Sequence, residues 1–370
     1  MNMKKFRMGI IGCGGISAGH IRGIIESPDL EIGALCDILP EKLKEKMDLC
    51  GADEAMCYEN YIDMMESGKI DAVSICTPNN VHFKVAMDAV ERGIPYAVEK
   101  PVCMNEAEVA KLLEATEKKN LSHMVCFSYR FMAAARYARA LIANGDLGKI
   151  YHINGEYYQA WGLPSARSGE ATPLVWRFKK DIAASGALGD LGCHMLDLCR
   201  FITGREFTYL IADMDTFIHK RKIIGSDEFG DVDVDDYINI VGQMEDHIAA
   251  NVAITRYAYS RGNYQRVEVY GDKGALRYNL EAGDSLEVNI GNEPMRNGHI
   301  WAEVPTPPRY KKTQMQSFAD ILNGCGDGLA ANLRDGLAVQ RVLDNSLLSA
   351  EKGIRIKLNA GGSYSEDHDL

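Results

Sequence analysis

The stretch GIIGCGGIS, residues 9 to 17, decides the fold of the first part of the chain. It joins an apolar run to a helical stretch through the pattern Gly12-x-Gly14-x-x-Ser17. Gly12 permits a tight turn, and Gly14 lets a diphosphate approach the backbone N–H groups at the helix N-terminus. Ser17 replaces the third glycine of the usual pattern with another small residue. The stretch alone also fits an ordinary strand-to-helix turn.

A carboxylate follows at the distance that a dinucleotide site requires. The next apolar run ends at Asp37, twenty residues after Ser17, where its side chain can bind the ribose hydroxyls of NAD. Ile38 and Leu39 come next, although an NADP site would favour a cation beside the 2′-phosphate. The order of these features predicts NAD, with NADP less favoured, and Lys42 and Lys44 on the next helix leave some room for NADP.

Residues 1 to 128 alternate short apolar runs with helical stretches, which predicts a dinucleotide-binding domain of the Rossmann type. Two of the helices are closed by Gly51 and Gly93. Strands that are apolar on both faces and alternate with helices indicate a doubly wound parallel sheet in an α/β fold. The strands are predicted in RMGIIG, EIGALCD, DAVSICT, YAVEK and HMVCFS.

Residues 129 to 370 show a different rhythm. Longer runs alternate apolar with polar residues and follow one another through short polar turns, which indicates an open, mainly antiparallel sheet in an α+β domain. We expect this second domain to bind the substrate and to mediate oligomerisation. A chain of 370 residues suits two domains, because single cores stop growing near roughly 250 to 300 residues. The strands are predicted in KIYHINGEYYQ, FTYLIADMDTFI, DYINIVGQM, HIAANVAITRY and RVEVYGDKGALRY.

The composition excludes several classes of function. The net charge is −11 and no basic run accumulates, so nucleic acid is a poor partner. No apolar run approaches the ~18 residues of a membrane span, and the N-terminal apolar run is too short for a signal peptide. Ten cysteines without CxxC spacing indicate reduced thiols in a cytoplasmic protein and make zinc improbable.

Two further motifs lie at the carboxyl ends of predicted strands, where doubly wound folds bind their ligands. They are CTPNNVH at 76–82 and VEKPVC at 98–103. The first also fits a turn with a helix cap. In the second, Lys100 leaves a buried strand and precedes Pro101, which is costly unless the amine has a polar role. A salt bridge between Lys100 and Glu99 is the structural alternative.

The stretch GALGDLGCHMLDL at 186–198 places Asp190, His194 and Asp197 on one predicted helix face. Its small residues could let a ligand come close. In the structural alternative, Asp190 is the helix N-cap and His194 is packed. A metal site is not predicted, because a further ligand would be needed, Asp197 is expected to face the core or its own hydrogen-bond partner, and Lys100 would repel a cation.

In their order and spacing, GCGGIS, CD at 36–37, TPNNVH, EKP and GALGDLGCHMLDL resemble the Gfo/Idh/MocA family of nicotinamide-dependent sugar and polyol oxidoreductases. The likeness covers nearly the whole chain. It implies that Lys100, Asp190 and His194 are catalytic and also bind substrate, together with Arg177 and Trp161. Plain packing is the alternative for Trp161. The cofactor residues implied are Gly12, Gly14, Gly15, Ile16, Asp37, Thr77, Pro78, Asn79, His82, Glu99, Lys100, Trp176 and Arg177.

One motif departs from the family. Members often carry Asn-Arg before the Phe that follows the last strand of the first domain, whereas this chain has Ser128-Tyr129-Arg130-Phe131. Substrate contacts at this motif therefore cannot be transferred from the family.

The function expected is an NAD-dependent oxidoreductase that interconverts a secondary alcohol and a ketone on a sugar, polyol or glycoside. His194 would act as general base, since an imidazole ordinarily titrates near neutrality, and Lys100 would stabilise the developing alkoxide. One alternative is a glycoside hydrolase that keeps NAD bound and returns the hydride. A non-enzymatic NAD-binding protein is the other, and the presence of both Lys100 and His194 argues against it. The open sheet leads us to expect a homodimer or homotetramer.

Overall fold

The computed structural model describes residues 5–165, 169–291, 301–358 and 365–366. The chain divides into two compact units, of which the first comprises residues 1–128 and 312–337 and the second residues 129–311 and 338–370. The break after residue 128 falls where the sequence predicts it. The expectation of an uninterrupted second domain is wrong at 312–337. A helix in this segment, Gln314–Leu322, buries Met315 and Phe318 and packs on Ser17–Glu26 of the first unit.

The first unit contains a parallel sheet that, within the described residues, has six strands. Its strand order β3-β2-β1-β4-β5-β6 is that of a Rossmann fold, as predicted. The strands are β1 (Phe6–Ile11), β2 (Leu30–Cys36), β3 (Cys57–Tyr58), β4 (Ala72–Ile75), β5 (Tyr96–Val98) and β6 (His123–Val125). The helices are α1 (Ser17–Glu26), α2 (Pro40–Cys50), α3 (Tyr61–Glu66), α4 (Asn79–Glu91) and α5 (Glu106–Lys118).

Local sequence explains where these elements begin and end. Pro40 stands at the first position of α2, where its missing N–H costs nothing, and Gly51 closes that helix at φ 68°. The central strand β1 is apolar on both faces, since the adjacent Ile10 and Ile11 point to opposite faces and are both buried. The core of the first unit therefore lies on both sides of the sheet, as the double apolar pattern requires.

The second unit is built on a larger sheet, which has ten strands within the described residues, in the order β16-β15-β14-β13-β7-β12-β11-β8-β17-β18. The strands β9 and β10 form a separate two-stranded antiparallel sheet. The strands are β7 (Ile150–Tyr158), β8 (Phe207–Asp215), β9 (Lys220–Lys222), β10 (Phe229–Asp231), β11 (Tyr237–Met244), β12 (Ile248–Thr255), β13 (Tyr264–Gly271), β14 (Gly274–Asn279), β15 (Ser285–Ile290), β16 (Ala302–Glu303), β17 (Ile356–Lys357) and β18 (Ser365–Glu366).

Most of this sheet is antiparallel, as predicted, but β7 and β12 run parallel. Between β7 and β12 the chain passes through helices and through β8 to β11, so a crossover connection joins these two parallel strands. The short polar turns do join antiparallel neighbours, at β11–β12 and at β13–β14, as predicted. The helices of this unit are α6 (Ala133–Ala143), α7 (Lys180–Ala183) and α8 (Cys193–Thr203). They are followed by α9 (Gln314–Leu322), which belongs to the first unit, and by α10 (Leu333–Lys352), which is shared between the two units.

The two faces of the large sheet differ in character. One face packs against α6 and α8 and buries residues such as Ile153, Val267 and Leu276. The opposite face, called here the outer face, carries exposed apolar side chains among polar ones. No helix among the described residues is both long enough and apolar enough to cross a membrane.

Candidate active-site residues

The glycine-rich turn after β1 uses its glycines for two different purposes. Gly12 has φ +91°, and a Cβ built on it would lie 2.7 Å from the backbone of Cys76 at the end of β4. Only glycine fits there. A Cβ on Gly14 or Gly15 would meet no described atom within 4 Å. Gly12 therefore closes the turn, whereas Gly14 and Gly15 leave open space above it.

The N-terminus of α1 is available to an anion. Its first turn receives no side-chain cap from any described residue. The buried Ser17 hydroxyl instead donates 2.7 Å to the carbonyl of Gly14 and stabilises the turn from below. Uncapped N–H groups at a helix N-terminus, together with the helix dipole, favour a phosphate. Half of Ile16 is exposed beside them.

Asp37 follows β2 and is tied to the same turn. Its Oδ2 accepts the Cys13 N–H at 2.7 Å and its Oδ1 accepts the Leu39 N–H at 2.9 Å. Each carboxylate oxygen retains a second acceptor site, so the side chain can still bind hydroxyl groups. Ile38 beside it is 81% exposed and offers an apolar surface. Asp37 thus has both a structural contact and capacity for a ligand.

The motif TPNN fits both readings that the sequence left open. Pro78 occupies the cap position of α4, and Asn79 begins the helix. The Thr77 Oγ1 is buried and has no hydrogen-bond partner among the described residues. A buried hydroxyl without a partner is costly, which favours a ligand atom at this position. Thr77 lies directly against the Gly12 turn.

His82 joins the two motifs at the carboxyl edge of the sheet. Its ring lies 2.8 Å from the carbonyl of Thr77 through Nε2 and 2.8 Å from the carbonyl of Pro101 through Nδ1. Burial lowers the pKa of His82, although these carbonyl contacts oppose the shift. The residue is 1% exposed. Its geometry therefore favours positioning of the two loops over the direct cofactor contact that the resemblance implies.

Glu99 and Lys100 follow β5 and face different environments. Glu99 is buried, and its Oε1 lies 2.8 Å from Nε2 of His20 on α1. Its Oε2 accepts the backbone N–H of Lys100 at 3.2 Å. Burial alone would raise the pKa of Glu99, but the hydrogen bond and charge of His20 outweigh it and hold the pKa below its usual value. The carboxylate is thus engaged with His20, and Lys100 itself is only half-buried.

Taken together, these residues fit a dinucleotide. The open space over Gly14 and Gly15, the uncapped start of α1, the Asp37 carboxylate and the buried Thr77 hydroxyl are the features that such a cofactor needs. The fit rests on the donor set and the shape of the first unit.

In the second unit, the predicted helix of residues 186–198 begins as a wider turn. Leu188–Gly192 form one π-helical turn that continues into α8. Asp190 is not the N-cap, since its own N–H donates to Gly186 at 2.9 Å. Asp235 caps the segment instead, through 2.6 Å to the Gly186 N–H and 2.7 Å to the Leu188 N–H. The cap interpretation of Asp190 is therefore wrong.

The small residues before this turn have a structural cause. A Cβ on Gly186 would collide with the backbone carbonyl of Asp235. At Gly186 the small residue therefore allows the close approach of the Asp235 backbone, in place of the ligand that the sequence suggested. Burial raises the pKa of Asp235, while its two backbone hydrogen bonds oppose the shift.

His194, Asp190 and Asp197 contact different neighbours, and Asp197 forms a buried ion pair. His194, in the first turn of α8, is 7% exposed and meets the edge of the Tyr129 ring at 4.7 Å between centroids. Asp190 lies 3.6 Å from Nε of Arg177. Asp197 is buried and receives two hydrogen bonds from Arg130, at 2.8 and 2.6 Å. As expected, Asp197 belongs to the core.

A polar cluster beside His194 was not predicted from the sequence. The Tyr129 and Tyr157 hydroxyls lie 2.7 Å apart, and both contact Oδ1 of Asn263, at 3.1 and 2.6 Å respectively. Gln159 donates from Nε2 to the same Asn263 oxygen at 3.0 Å. Burial, followed by the neighbouring Tyr129, raises the pKa of Tyr157, which keeps its hydroxyl protonated as a donor. Tyr129 comes from the motif that departs from the family.

The resemblance also implies that Trp161, Trp176 and Arg177 contact the cofactor or the substrate, and their surroundings differ. The guanidinium of Arg177 stacks over Trp176 at 4.3 Å and reaches toward Asp190. Trp161 packs on Phe178 at 5.4 Å and beneath Arg256 at 5.1 Å. The geometry of Trp161 therefore favours the packing interpretation, whereas Arg177 and Asp190 are brought together.

The sequence matches two family patterns. One, described as oxidoreductase family, NAD-binding Rossmann fold, covers residues 6–127, and the other, the GFO/IDH/MocA C-terminal domain, covers residues 135–277. A levoglucosan dehydrogenase of Pseudarthrobacter phenanthrenivorans is 30% identical over 95% of this chain and 97% of its own length.

Two further relatives support the same family. A D-glucoside 3-dehydrogenase of Escherichia coli is 25% identical over 97% of this chain and 99% of its own length. The solved structure of a levoglucosan dehydrogenase in complex with NADH and L-sorbose has a TM-score of 0.86 at 27% identity, covering 96% of this chain and 100% of that one.

Proposed function

Because this chain belongs to the Gfo/Idh/MocA family of oxidoreductases, we propose that it interconverts a secondary alcohol and a ketone on a sugar, a polyol or a glycoside. NAD is its cofactor. The observation that carries the proposal is the position of His194, whose ring meets that of Tyr129. The Tyr129 hydroxyl belongs to a cluster of hydroxyl and amide groups suited to a polyhydroxy substrate. The relatives named as levoglucosan dehydrogenase and D-glucoside 3-dehydrogenase support this class of substrate.

In this mechanism, bound NAD supplies the acceptor for the hydride that leaves the substrate carbon. Residues Gly12 to Ile16, Asp37 and Thr77 hold it. His194 accepts the proton of the substrate hydroxyl as general base. Lys100 stabilises the negative charge that develops on the substrate oxygen.

Asp190 orients the reacting groups. Its contact with Arg177 at 3.6 Å keeps a cation beside the carboxylate. Tyr129, whose ring meets His194, shares a cluster of hydroxyl and amide groups with Gln159 and Asn263, and this cluster selects substrates rich in hydroxyls. Arg177, stacked on Trp176, is the further substrate-binding residue proposed.

The test is net reduction of NAD by a panel of sugars, polyols and glycosides, followed by the absorbance of NADH. We expect at least one member to give sustained, substrate-dependent NADH formation. Release of a nitrophenol from an aryl glycoside without net NADH would instead indicate the redox-cycling hydrolase. If NAD binds and neither reaction occurs across the panel, the proposal is contradicted in favour of a non-enzymatic NAD-binding protein.

We further propose that a second copy of the chain covers part of the outer face. Tyr151, Ile211 and Val241 are 51%, 43% and 56% exposed there, and Ile211 pairs directly with Val241 across neighbouring strands. Exposed apolar residues grouped in this way favour an interface. Light scattering should show a homodimer or homotetramer that dissociates in Ile211→Asp/Val241→Asp. A monomeric unaltered protein would contradict this.

The cysteines support a location for these reactions. All ten are free thiols. Unpaired thiols in this number persist in a reducing compartment, and we infer a cytoplasmic enzyme. Fractionation of cells that produce the protein, with immunodetection, checks the inference.

A further inference from the structure

His20 on α1 is buried in the first unit and engages both of its ring nitrogens. Nδ1 lies 2.7 Å from Oγ of Ser74 on β4, and Nε2 lies 2.8 Å from Oε1 of Glu99 after β5. Only 3% of the residue is exposed. A histidine in this position joins the helix that begins at the glycine-rich turn to two strands of the sheet.

The contact with Glu99 continues to the backbone of Lys100. The second carboxylate oxygen of Glu99 accepts the Lys100 N–H at 3.2 Å. A carboxylate held at one oxygen by a buried imidazole has little rotational freedom, so its other oxygen is fixed as well. A chain of contacts therefore runs from His20 through Glu99 to the backbone of Lys100 as it leaves β5.

The surroundings of His20 favour its charged form. Burial alone disfavours an imidazolium, but the neighbouring Cys76 and Glu99 outweigh it and raise the pKa of His20 to about 10. The groups that face the ring come from several elements. They are Ser74 from β4, Cys76 directly after it, Glu99 after β5, Cys126 after β6 and Gln314 from α9, while the charge of Lys100 acts on Glu99.

A metal ion is the competing explanation for this cluster. The ligand atoms of His20, Glu99 and Cys126 lie within 4.8 Å of one another. However, 2.8 Å between Nε2 and Oε1 is the length of a charge-assisted hydrogen bond, and an ion between these atoms would have to displace the proton that joins them. The geometry thus favours a protonated pair over a metal site.

We propose that His20 is a positioning residue for Lys100, acting through Glu99. The inference rests on the proposed function, in which Lys100 stabilises charge on the substrate oxygen. His20 touches neither substrate nor reacting atoms in this scheme. Its protonated ring fixes Glu99, Glu99 fixes the backbone of Lys100, and the amine is thereby presented in one orientation.

The first test compares His20→Gln with His123→Gln. Both variants change a histidine in the same unit, but His123 lies on β6 and contacts Tyr96 and the Leu121 carbonyl, away from Glu99. We expect His20→Gln to lower kcat on the order of tenfold to a hundredfold, as small misplacements of a catalytic group do, with little change in KM for NAD. His123→Gln should keep both values. An unchanged kcat in His20→Gln overturns the proposal.

A second readout does not depend on activity. Hydrogen exchange of the peptide covering residues 96–103 should be faster in His20→Gln than in the unaltered protein or in His123→Gln, and equal exchange would contradict positioning. If Lys100→Ala keeps full activity, the proposed function fails, and the exchange result still decides the role of His20. Should His20→Gln not fold, Ser74→Ala, which removes the partner of Nδ1, must show the same two changes in smaller measure.

The pH dependence of stability supplies a third readout. Because the pKa of His20 is raised in the folded protein, its protonation stabilises the folded state fully at pH values below the ordinary histidine pKa of 6.5. This stabilisation is lost as the pH rises toward about 10. Urea midpoints of the unaltered protein should therefore fall over this range more steeply than those of His20→Gln. Parallel slopes, or a stoichiometric metal ion that disappears in His20→Gln, would overturn the protonated pair.

Discussion

In the first unit, the candidate cofactor residues act largely through backbone geometry, whereas in the second unit the candidate substrate residues act through side chains from distant segments. Gly12 and Asp37 are fixed by contacts with the turn that they form. By contrast, Tyr129 meets His194 and Asn263 across large separations in sequence. The difference teaches that the candidate cofactor site and the candidate substrate site are built in different physical ways in this molecule.

The two regions also differ in how tightly they are constrained. A substitution at Gly12 meets backbone atoms that cannot move away. The hydroxyls and amides around Asn263 form a network in which one member can be removed while the others remain. We therefore expect the first region to respond to substitution with loss of structure or cofactor binding, and the second with altered catalysis or selectivity.

The largest effect is expected from the residue proposed as catalytic in each unit. Lys100→Ala and His194→Ala should each lower kcat by about a hundredfold or more, the scale of lost acid–base catalysis. NAD affinity should change little in His194→Ala, and a chelator should leave the activity of the unaltered protein intact. Steady-state kinetics and NADH fluorescence titration measure these quantities.

The matched control for His194 is His152→Ala. His152 lies on β7 in the same unit and contacts Asn251. We expect near-normal kcat in this variant. If His194→Ala retained kcat within a few-fold of the unaltered enzyme, His194 would not be the general base.

The next effect separates two glycines within one turn. Gly12→Ala should lower the free energy of unfolding, because a Cβ at φ +91° meets the Cys76 backbone and strained conformations cost roughly 1–3 kcal/mol. Gly14→Ala should keep the free energy of unfolding of the unaltered protein but bind NAD more weakly, since its Cβ enters the open space above the turn. Urea unfolding and NAD titration distinguish the two. Unchanged NAD affinity in Gly14→Ala would contradict the proposal that NAD binds over this turn.

A smaller effect concerns the choice between NAD and NADP. Asp37→Ser should weaken NAD binding by about tenfold, as expected for loss of a hydrogen bond to a charged group, and should narrow the preference over NADP. Asp37→Asn keeps an acceptor oxygen for only one of the Cys13 and Leu39 N–H groups, so its urea midpoint shows how much of a loss in NAD binding comes from the structure of the turn. Tighter binding of NADP than of NAD by the unaltered protein would refute the assignment.

The smallest effect is expected in the polar cluster of the second unit. Tyr129→Phe keeps the ring against His194 and removes the hydroxyl that contacts Asn263. The loss of one neutral hydrogen bond, worth ~0.5–1.5 kcal/mol, should raise substrate KM by a few-fold. Tyr61→Phe in the first unit, whose hydroxyl contacts Asp88, should leave KM unchanged. Equal KM in both variants would remove Tyr129 from the substrate site.

The same contrast explains how much the sequence predicted. The sequence predicts the turn at Gly12, the helix end at Gly51 and the position of Asp37 after β2, because each depends on residues that are close in sequence. The Rossmann sheet was readable for the same reason, since its strands and helices alternate along the chain. The core role of Asp197 was expected, but its partner Arg130 lies 67 residues away and carried no local signal.

The unpredicted features depend on contacts between distant segments. Tyr129 and Asn263 are 134 residues apart, and no spacing rule connects them. The return of residues 312–337 to the first unit depends on the packing of Met315 beside Gly23. The cap on the helical segment of His194 comes from Asp235, so Asp190 only resembled a cap in sequence.

The central claim is that this protein moves a hydride from a substrate carbon to NAD while His194 takes the hydroxyl proton. The most direct test uses a sugar that supports turnover, deuterated at the carbon to be oxidised, with analysis of the reduced cofactor by mass spectrometry. The account predicts that deuterium appears on the nicotinamide ring, that turnover shows a primary isotope effect, and that His194→Ala slows the transfer without changing where the label goes. A product formed with no deuterium in the cofactor would contradict it.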